Sequence, residues 1–137
     1  MGSPAPLTIL LDTHVWIWSL LDPGRLGARA AGLLEDRGNE LWLSPISVWE
    51  CLVLAGKGRL ALEREPGEWV EEALRCAPMK EAPLTHEIAL ESRRIDLPHQ
   101  DPADRLLAAT ARVMGLRLLT ADERLLKSPS VPTVPVR

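Results

Sequence analysis

The sequence predicts an α/β domain built on a mainly parallel sheet. Two observations carry that prediction. Short apolar runs at Leu7–Leu11, Leu41–Leu43 and Leu116–Leu119 read as buried strands, and the first stops abruptly at Asp12-Thr13. Stretches with helical spacing and recognisable caps lie between them, so strands alternate with helices along the chain. Sheets of this kind bind ligands beyond the carboxyl ends of their strands.

In order, the first strand at Leu7–Leu11 is followed by a short helix over Val15–Leu21, stopped by Asp22-Pro23-Gly24. A second helix covers Leu26–Asp36, with Ala30, Leu33 and Leu34 inward and Gly38-Asn39 as its stop. After the strand at Leu41–Leu43, Ser44 at the N-cap and Pro45 at the first helical position open a helix that runs to about Ala55. Glu68–Cys76 reads as a further helix. Met79–Leu84 reads as an edge strand or extended segment, because Pro83 would break a central ladder. Thr85 caps a helix to Ile95. Asp101-Pro102 opens the most apolar helix, Ala103–Met114, closed by Gly115. After Leu116–Leu119, Thr120 and Glu123 form a capping box for a short helix to Lys127, and Val131–Val134 supplies a last strand weakened by Pro132 and Pro135.

The 137 residues suit one domain, 1–137, with 1–6 expected to fray. A hydrophobic fraction of 46% with 26% charged residues argues against a disordered chain. No apolar run spans a bilayer and no signal pattern is present, which predicts a soluble, cytoplasmic protein with no membrane partner. Cys51 and Cys76 form no zinc pattern and, each beside apolar residues, read as two buried thiols of a reducing compartment. The chain has five Trp but no Phe or Tyr, which weighs against an aromatic base-stacking platform. Lys and Arg total 16 against 19 Asp and Glu, so the net charge of −3 argues against a surface that is one continuous nucleic-acid footprint.

Carboxylates at element boundaries carry the chemistry. Asp12 follows the first strand, at the crevice edge of the sheet; the alternative is that it merely caps the next helix. Glu50 lies beyond the capped first turn of its helix, among Ile46, Ser47, Val53 and Leu54. An acid on such a stripe is costly unless paired or bound to a cation; the alternative is a tilt to solvent. Asp101 and Asp104 sit three apart at a helix start, where both also suit the helix dipole. Asp122 closely follows the strand at Leu116–Leu119, and alone it too could be purely electrostatic. As a set, however, these acids would repel unless a divalent cation neutralised them. All-oxygen ligation suits Mg²⁺ or Mn²⁺ rather than zinc.

Other chemistries lack their residues. His14, His86 and His99 are scattered, and no Ser or Cys stands at a nucleophile elbow. Gly24-Arg25-Leu26-Gly27 and Gly56-Lys57-Gly58 are not phosphate loops, since no Gly-Lys-Ser/Thr follows. Asp12-Thr13-His14 lacks the second Asp of a haloacid-dehalogenase-type phosphatase, and a receiver-like signalling domain would want a late Lys.

Four segments in order then resemble a PIN domain: Leu10-Leu11-Asp12-Thr13-His14, Ser44-Pro45-Ile46-Ser47-Val48-Trp49-Glu50, the run from Leu97 to Ala111 containing Asp101-Pro102-Ala103-Asp104-Arg105-Leu106-Leu107-Ala108-Ala109, and Leu119-Thr120-Ala121-Asp122. The likeness is greatest to the VapC type, the toxin of type II toxin–antitoxin pairs, and covers Leu7 to about Val134. The resemblance implies a three-layer α/β/α sandwich with a mainly parallel central sheet. It also implies a metal-dependent endoribonuclease toxin that hydrolyses RNA phosphodiester bonds, works as a homodimer and is inhibited by a cognate antitoxin. Matched by motif, Asp12, Glu50, Asp104 and Asp122 would be catalytic, with Asp12 and Asp104 holding Mg²⁺ or Mn²⁺. Asp101 would cap and assist, while Thr13, Ser47 and Thr120 would orient carboxylates or water. Arg105 would be an RNA phosphate contact or a plain surface arginine, and Gln100 stands where the nearest subgroup often has Arg. A catalytically quiet PIN-fold interaction scaffold is the competing expectation, which the intact acids oppose.

Overall fold

A computed structural model describes residues 6–137, so most of the segment expected to fray lies outside the described residues. Five strands form one sheet: β1 (Thr8–Leu11), β2 (Glu40–Leu43), β3 (Lys80–Glu81), β4 (Arg117–Thr120) and β5 (Thr133–Pro135). All pairings are parallel and the order is β3-β2-β1-β4-β5. The chain adds β2 and β3 on one side of β1, then crosses back to place β4 and β5 on the other. Strand order therefore reverses at β1, and the crevice between the carboxyl ends of β1 and β4 is the switch point at which such sheets bind ligands.

Helices cover both faces: α1 (Thr13–Leu21), α2 (Gly27–Glu35), α3 (Pro45–Gly56), α4 (Pro66–Cys76), α5 (His86–Arg94), α6 (Pro102–Met114) and α7 (Glu123–Lys127). The alternation of side chains along β1 divides the core. Ile9 and Leu11 pack with Val15, Trp16 and Ile17 of α1, Ala30 of α2 and Val70 of α4. Leu10 points the other way, into Leu107, Ala108 and Ala111 of α6 with Leu118 and Leu125. The result is the expected three-layer arrangement. Among the described residues, no helix is long and apolar enough to cross a membrane.

Element boundaries follow local chemistry. Ser44 accepts from the Ile46 amide and Pro45 occupies the first turn of α3, as expected. Gly115 ends α6 in the left-handed region at φ 68°, a conformation that favours glycine. Three expectations about caps, boundaries and cysteine burial need correction. α4 starts at Pro66 rather than Glu68, because the Glu65 carboxylate caps the amides of Gly67 and Glu68. The capping box of Thr120 with Glu123 does not form. Thr120 is the last residue of β4, its hydroxyl is engaged by Asp12, and Asp122 caps α7 instead. Only Cys51 is buried; Cys76, in the last turn of the amphipathic α4, is exposed.

The connection from α5 to α6 has no regular structure and is held by one side chain. Arg105 is buried on α6, and its guanidinium donates to four main-chain carbonyls: Nε to Ser92 (2.7 Å), Nη2 to Ile95 (2.7 Å), and Nη1 to Leu97 and His99 (3.0 Å each). Arg105 is thus neither the RNA phosphate contact nor the plain surface arginine that its motif position allows. Four of its five N–H donors already have acceptors inside the protein. Hydrogen bonds to a charged group stabilise more than neutral ones, and each carbonyl left unpaired inside the fold adds a desolvation penalty. We predict that Arg105→Leu lowers stability by about 3 kcal/mol or more. Arg105→Lys, which keeps the charge but loses the fork, should fall between Leu and the wild type. Urea denaturation of the three proteins checks the order; a Leu variant as stable as the wild type would show that the clamp contributes nothing.

Candidate active site

The switch-point crevice gathers acids from four separate elements. Asp12 lies directly after β1, Glu50 on α3, Asp104 in the first turn of α6 and Asp122 at the start of α7. Asp12 also caps α1, accepting from the Thr13 amide at 2.8 Å, so crevice residue and helix cap are one residue. Its second oxygen accepts from the Thr120 hydroxyl at 2.6 Å, and that same hydroxyl accepts from the Asp122 amide at 3.0 Å. Thr13 is buried; its hydroxyl donates to Glu50 Oε1 at 2.5 Å and pairs with the buried Ser47 hydroxyl at 2.9 Å. The three hydroxyl residues expected to orient the site, Thr13, Ser47 and Thr120, therefore all lie among the acids. Asp101 caps α6 through the Ala103 amide at 2.8 Å and remains exposed. Glu50 is half-buried rather than turned to solvent.

The electrostatics record the crowding. Burial pushes the Asp104 carboxyl up to about 6, helped by the neighbouring charges of Asp101 and Asp12. Burial raises Glu50 against the opposing Thr13 hydrogen bond. It raises Asp12 too, in spite of the Thr120 hydrogen bond. Asp122 differs. Burial again pushes it up, but hydrogen bonds from His99 and the Arg124 amide outweigh that and leave it below the usual range.

His99 is the member of this neighbourhood that reading the sequence did not single out. It is 2% exposed, and its Nε2 lies 3.0 Å from Asp122 Oδ2. Among the described residues, His99, Asp104 and Asp122 each bring one potential metal-binding atom within 4.8 Å of the others. Nothing in the local pattern around His99 signals this, since its partner is 23 residues away. The acids of the crevice, rather than the imidazole, fit a hard divalent cation. Carboxylate oxygens dominate, and their mutual repulsion is what a cation would relieve.

Beside the acids runs a groove of about 760 Å³, floored by Ile46, Val53 and Leu54, edged by Trp49 and Leu84, and opening onto Glu50 and Asp101. Trp49 is 57% exposed there, while Trp16 is buried in the core.

The raised Asp104 carboxyl has a stability consequence. Its folded-state value of about 6 lies above its ordinary 3.8, so the folded protein holds the proton more tightly than the unfolded chain. Stability from this group is therefore present at acid pH and lost as pH rises between those two values. In chelator, Asp104→Asn should melt above the wild type at pH 7.5, by roughly 3 °C for a chain of this size after allowing for solvent screening. The gap should close towards pH 4. A melting series in EDTA from pH 4 to 8 measures it, and a constant difference across that range would refute the assignment.

A sequence profile described as PIN domain matches residues 9–129. The chain is 35% identical over 121 residues to ribonuclease VapC22 of Mycobacterium tuberculosis, covering 86% of this chain and 89% of that protein. Among solved structures, FitAcB of Neisseria gonorrhoeae is similar with a TM-score of 0.63 and 25% identity, over 93% of this chain and 97% of that one. The fold also matches VapBC2 of Rickettsia felis, solved with a fragment of its promoter DNA, at a TM-score of 0.69 and 12% identity over 94% and 98% of the two chains. With a family match that takes in all four acids and a relative 35% identical over most of both chains, the chain belongs to the PIN-domain family and, within it, to the VapC type.

Proposed function

We propose that this chain, acting as a single domain in the cytoplasm, is a Mg²⁺- or Mn²⁺-dependent endoribonuclease toxin held in check by a cognate antitoxin. The observation that carries the reading is the convergence of Asp12, Glu50, Asp104 and Asp122 on one crevice, with the Asp104 carboxyl pushed up to about 6 by burial and its acidic neighbours. A scaffold with no use for a cation would gain nothing from keeping that repulsion. The similarity to a protein named as a ribonuclease supports RNA as the substrate class.

In this reading Asp12 and Asp104 hold the cation, and Glu50 and Asp122 complete the site or position water. A bound divalent cation would supply charge neutralisation for the RNA phosphate and a more acidic water. The reaction adds a water oxygen to phosphorus and breaks one P–O ester bond, and the departing sugar oxygen takes up a proton. Glu50, held by the Thr13 hydroxyl, lies where it can orient that water; Thr13 in turn is fixed by Ser47. Thr120 keeps Asp12 aimed and ties the Asp122 backbone to it.

The apolar groove suits the antitoxin. It is continuous with the acids through Glu50 and Asp101, so a segment lying on Trp49, Val53 and Leu54 would cover the site. Two proteins of similar fold are described as a toxin–antitoxin complex of Klebsiella pneumoniae and a member of the VapBC family of toxin–antitoxin systems of Mycobacterium tuberculosis. A homodimer accompanies the reading as a family property, and Leu90, 54% exposed on α5, is one apolar side chain available to a second copy.

Two measurements test the proposal. Purified protein with Mn²⁺ should cleave RNA; Asp104→Asn should lose at least ~100-fold in rate, as expected for a lost metal ligand or catalytic carboxylate. Asp101→Asn, which keeps an N-cap, should retain most of the activity. The reverse pattern would shift the site by one helical turn. Second, Mg²⁺ or Mn²⁺ should raise the melting temperature of the wild type by mass action and raise that of Asp12→Asn much less. Equal shifts in the two proteins would remove Asp12 from the metal site.

A further inference from the structure

His99 is buried, polar and outside the acidic set, yet it touches one of the acids. An ionised carboxylate only accepts, so the contact of Nε2 with Asp122 Oδ2 assigns the ring proton to Nε2. The other ring nitrogen, Nδ1, is buried and has no hydrogen-bond partner among the described residues. The Asp122 amide is held by Thr120, but among the described residues its carboxylate accepts one other hydrogen bond. Its Oδ1 accepts from the Arg124 amide at 2.9 Å as the cap of α7, a helix of only five residues. The Arg124 guanidinium stands 3.6 Å off on an exposed side chain. The His99 N–H therefore fixes the second carboxylate oxygen, the one the helix cap leaves free.

What fixes His99 is Arg105. One Nη1 bond reaches the His99 carbonyl, and the other three donors hold Ser92, Ile95 and Leu97, so the loop carrying the imidazole is tied to α6. Asp104 is the residue immediately before Arg105 on that helix. One rigid element thus presents Asp104 directly and holds Asp122 through Arg105 and His99.

We infer that His99 is a positioning residue of the acidic site: its Nε2–H holds Asp122 in register with Asp104, and Arg105 holds His99. This rests on the acidic-site reading proposed above. Partners that orient metal-binding carboxylates change metal affinity or activity by roughly 10–100-fold when removed. A buried imidazole with only a packing role would not.

The test compares His99→Leu and His99→Met, which fill the space without a donor, with His99→Gln, whose amide N–H can stand near the place of Nε2. Mn²⁺ binding is measured by calorimetry on each folded variant, alongside kcat and KM for RNA cleavage. The apolar variants should bind Mn²⁺ roughly 10–100-fold more weakly and lose kcat more than KM. His99→Gln should recover most of both. An apolar variant that binds Mn²⁺ like the wild type overturns the inference. So does a Gln variant impaired as badly as Leu or Met, since packing alone would then explain the loss. Asp12→Asn in the same titration separates the two readings. If it binds Mn²⁺ unchanged, the acidic site itself is wrong; if it loses the metal while His99→Leu does not, only the role of His99 is.

Discussion

Like charges brought together out of water repel, and that constraint organises this molecule. Four carboxylates meet in a partly desolvated crevice, and the neighbouring structure restrains them against one another. Three hydroxyls stand among the acids: Thr120 donates to Asp12, Thr13 donates to Glu50, and Ser47 pairs with Thr13. Helix starts supply the rest. Asp12 caps α1, Asp122 caps α7, and Asp104 lies in the first turn of α6, so each sits where unsatisfied amides and the positive end of a helix favour negative charge. These offsets are incomplete, and the displaced Asp104 carboxyl is the residue of the imbalance.

The sheet explains why the acids can meet at all. β1 is central and parallel to both neighbours, so its carboxyl end is flanked by the ends of β2 and β4. The residue after β1, the helix after β2 and the residues after β4 all leave the sheet at the same edge. Only Asp104 arrives otherwise, on a helix that precedes its strand, and the packing of Leu107, Ala108 and Ala111 under β1 and β4 brings it there. Burial on both faces of β1 also makes this edge rigid, which a multi-point charge arrangement requires.

Much of this was legible from residue order because the signals are local. An apolar run ending in Asp12 states both a strand and its edge. Ser44-Pro45 places the start of α3, and counting from it puts Glu50 on an inward stripe. Asp101-Pro102 and Gly115 bracket α6, with Asp104 in its first turn. What was not legible depends on distance through space. Thr120 with Glu123 is a plausible capping box, and only the proximity of Asp12 diverts the hydroxyl. The exposure of Cys76 depends on which face α4 turns inward, and apolar neighbours in sequence do not decide that. Arg105 reads from its position as a phosphate contact or a surface arginine, and both readings would point it outward. Its true partners are the Ser92 carbonyl at the end of α5 and three carbonyls of the following loop, which has no pattern of its own. His99 was passed over for the same reason, as its partner lies beyond α6 and β4.

The clamp made by Arg105 recognises main-chain carbonyls and no side chains. A loop held in that way keeps its path whatever side chains it carries outward. Leu97 and His99 are buried, while Asp96, Pro98 and Gln100 are exposed. Those three positions can therefore be exchanged without altering the backbone that supports the acids. The path of the loop and the side chains it displays are thereby set independently, and one guanidinium achieves the separation.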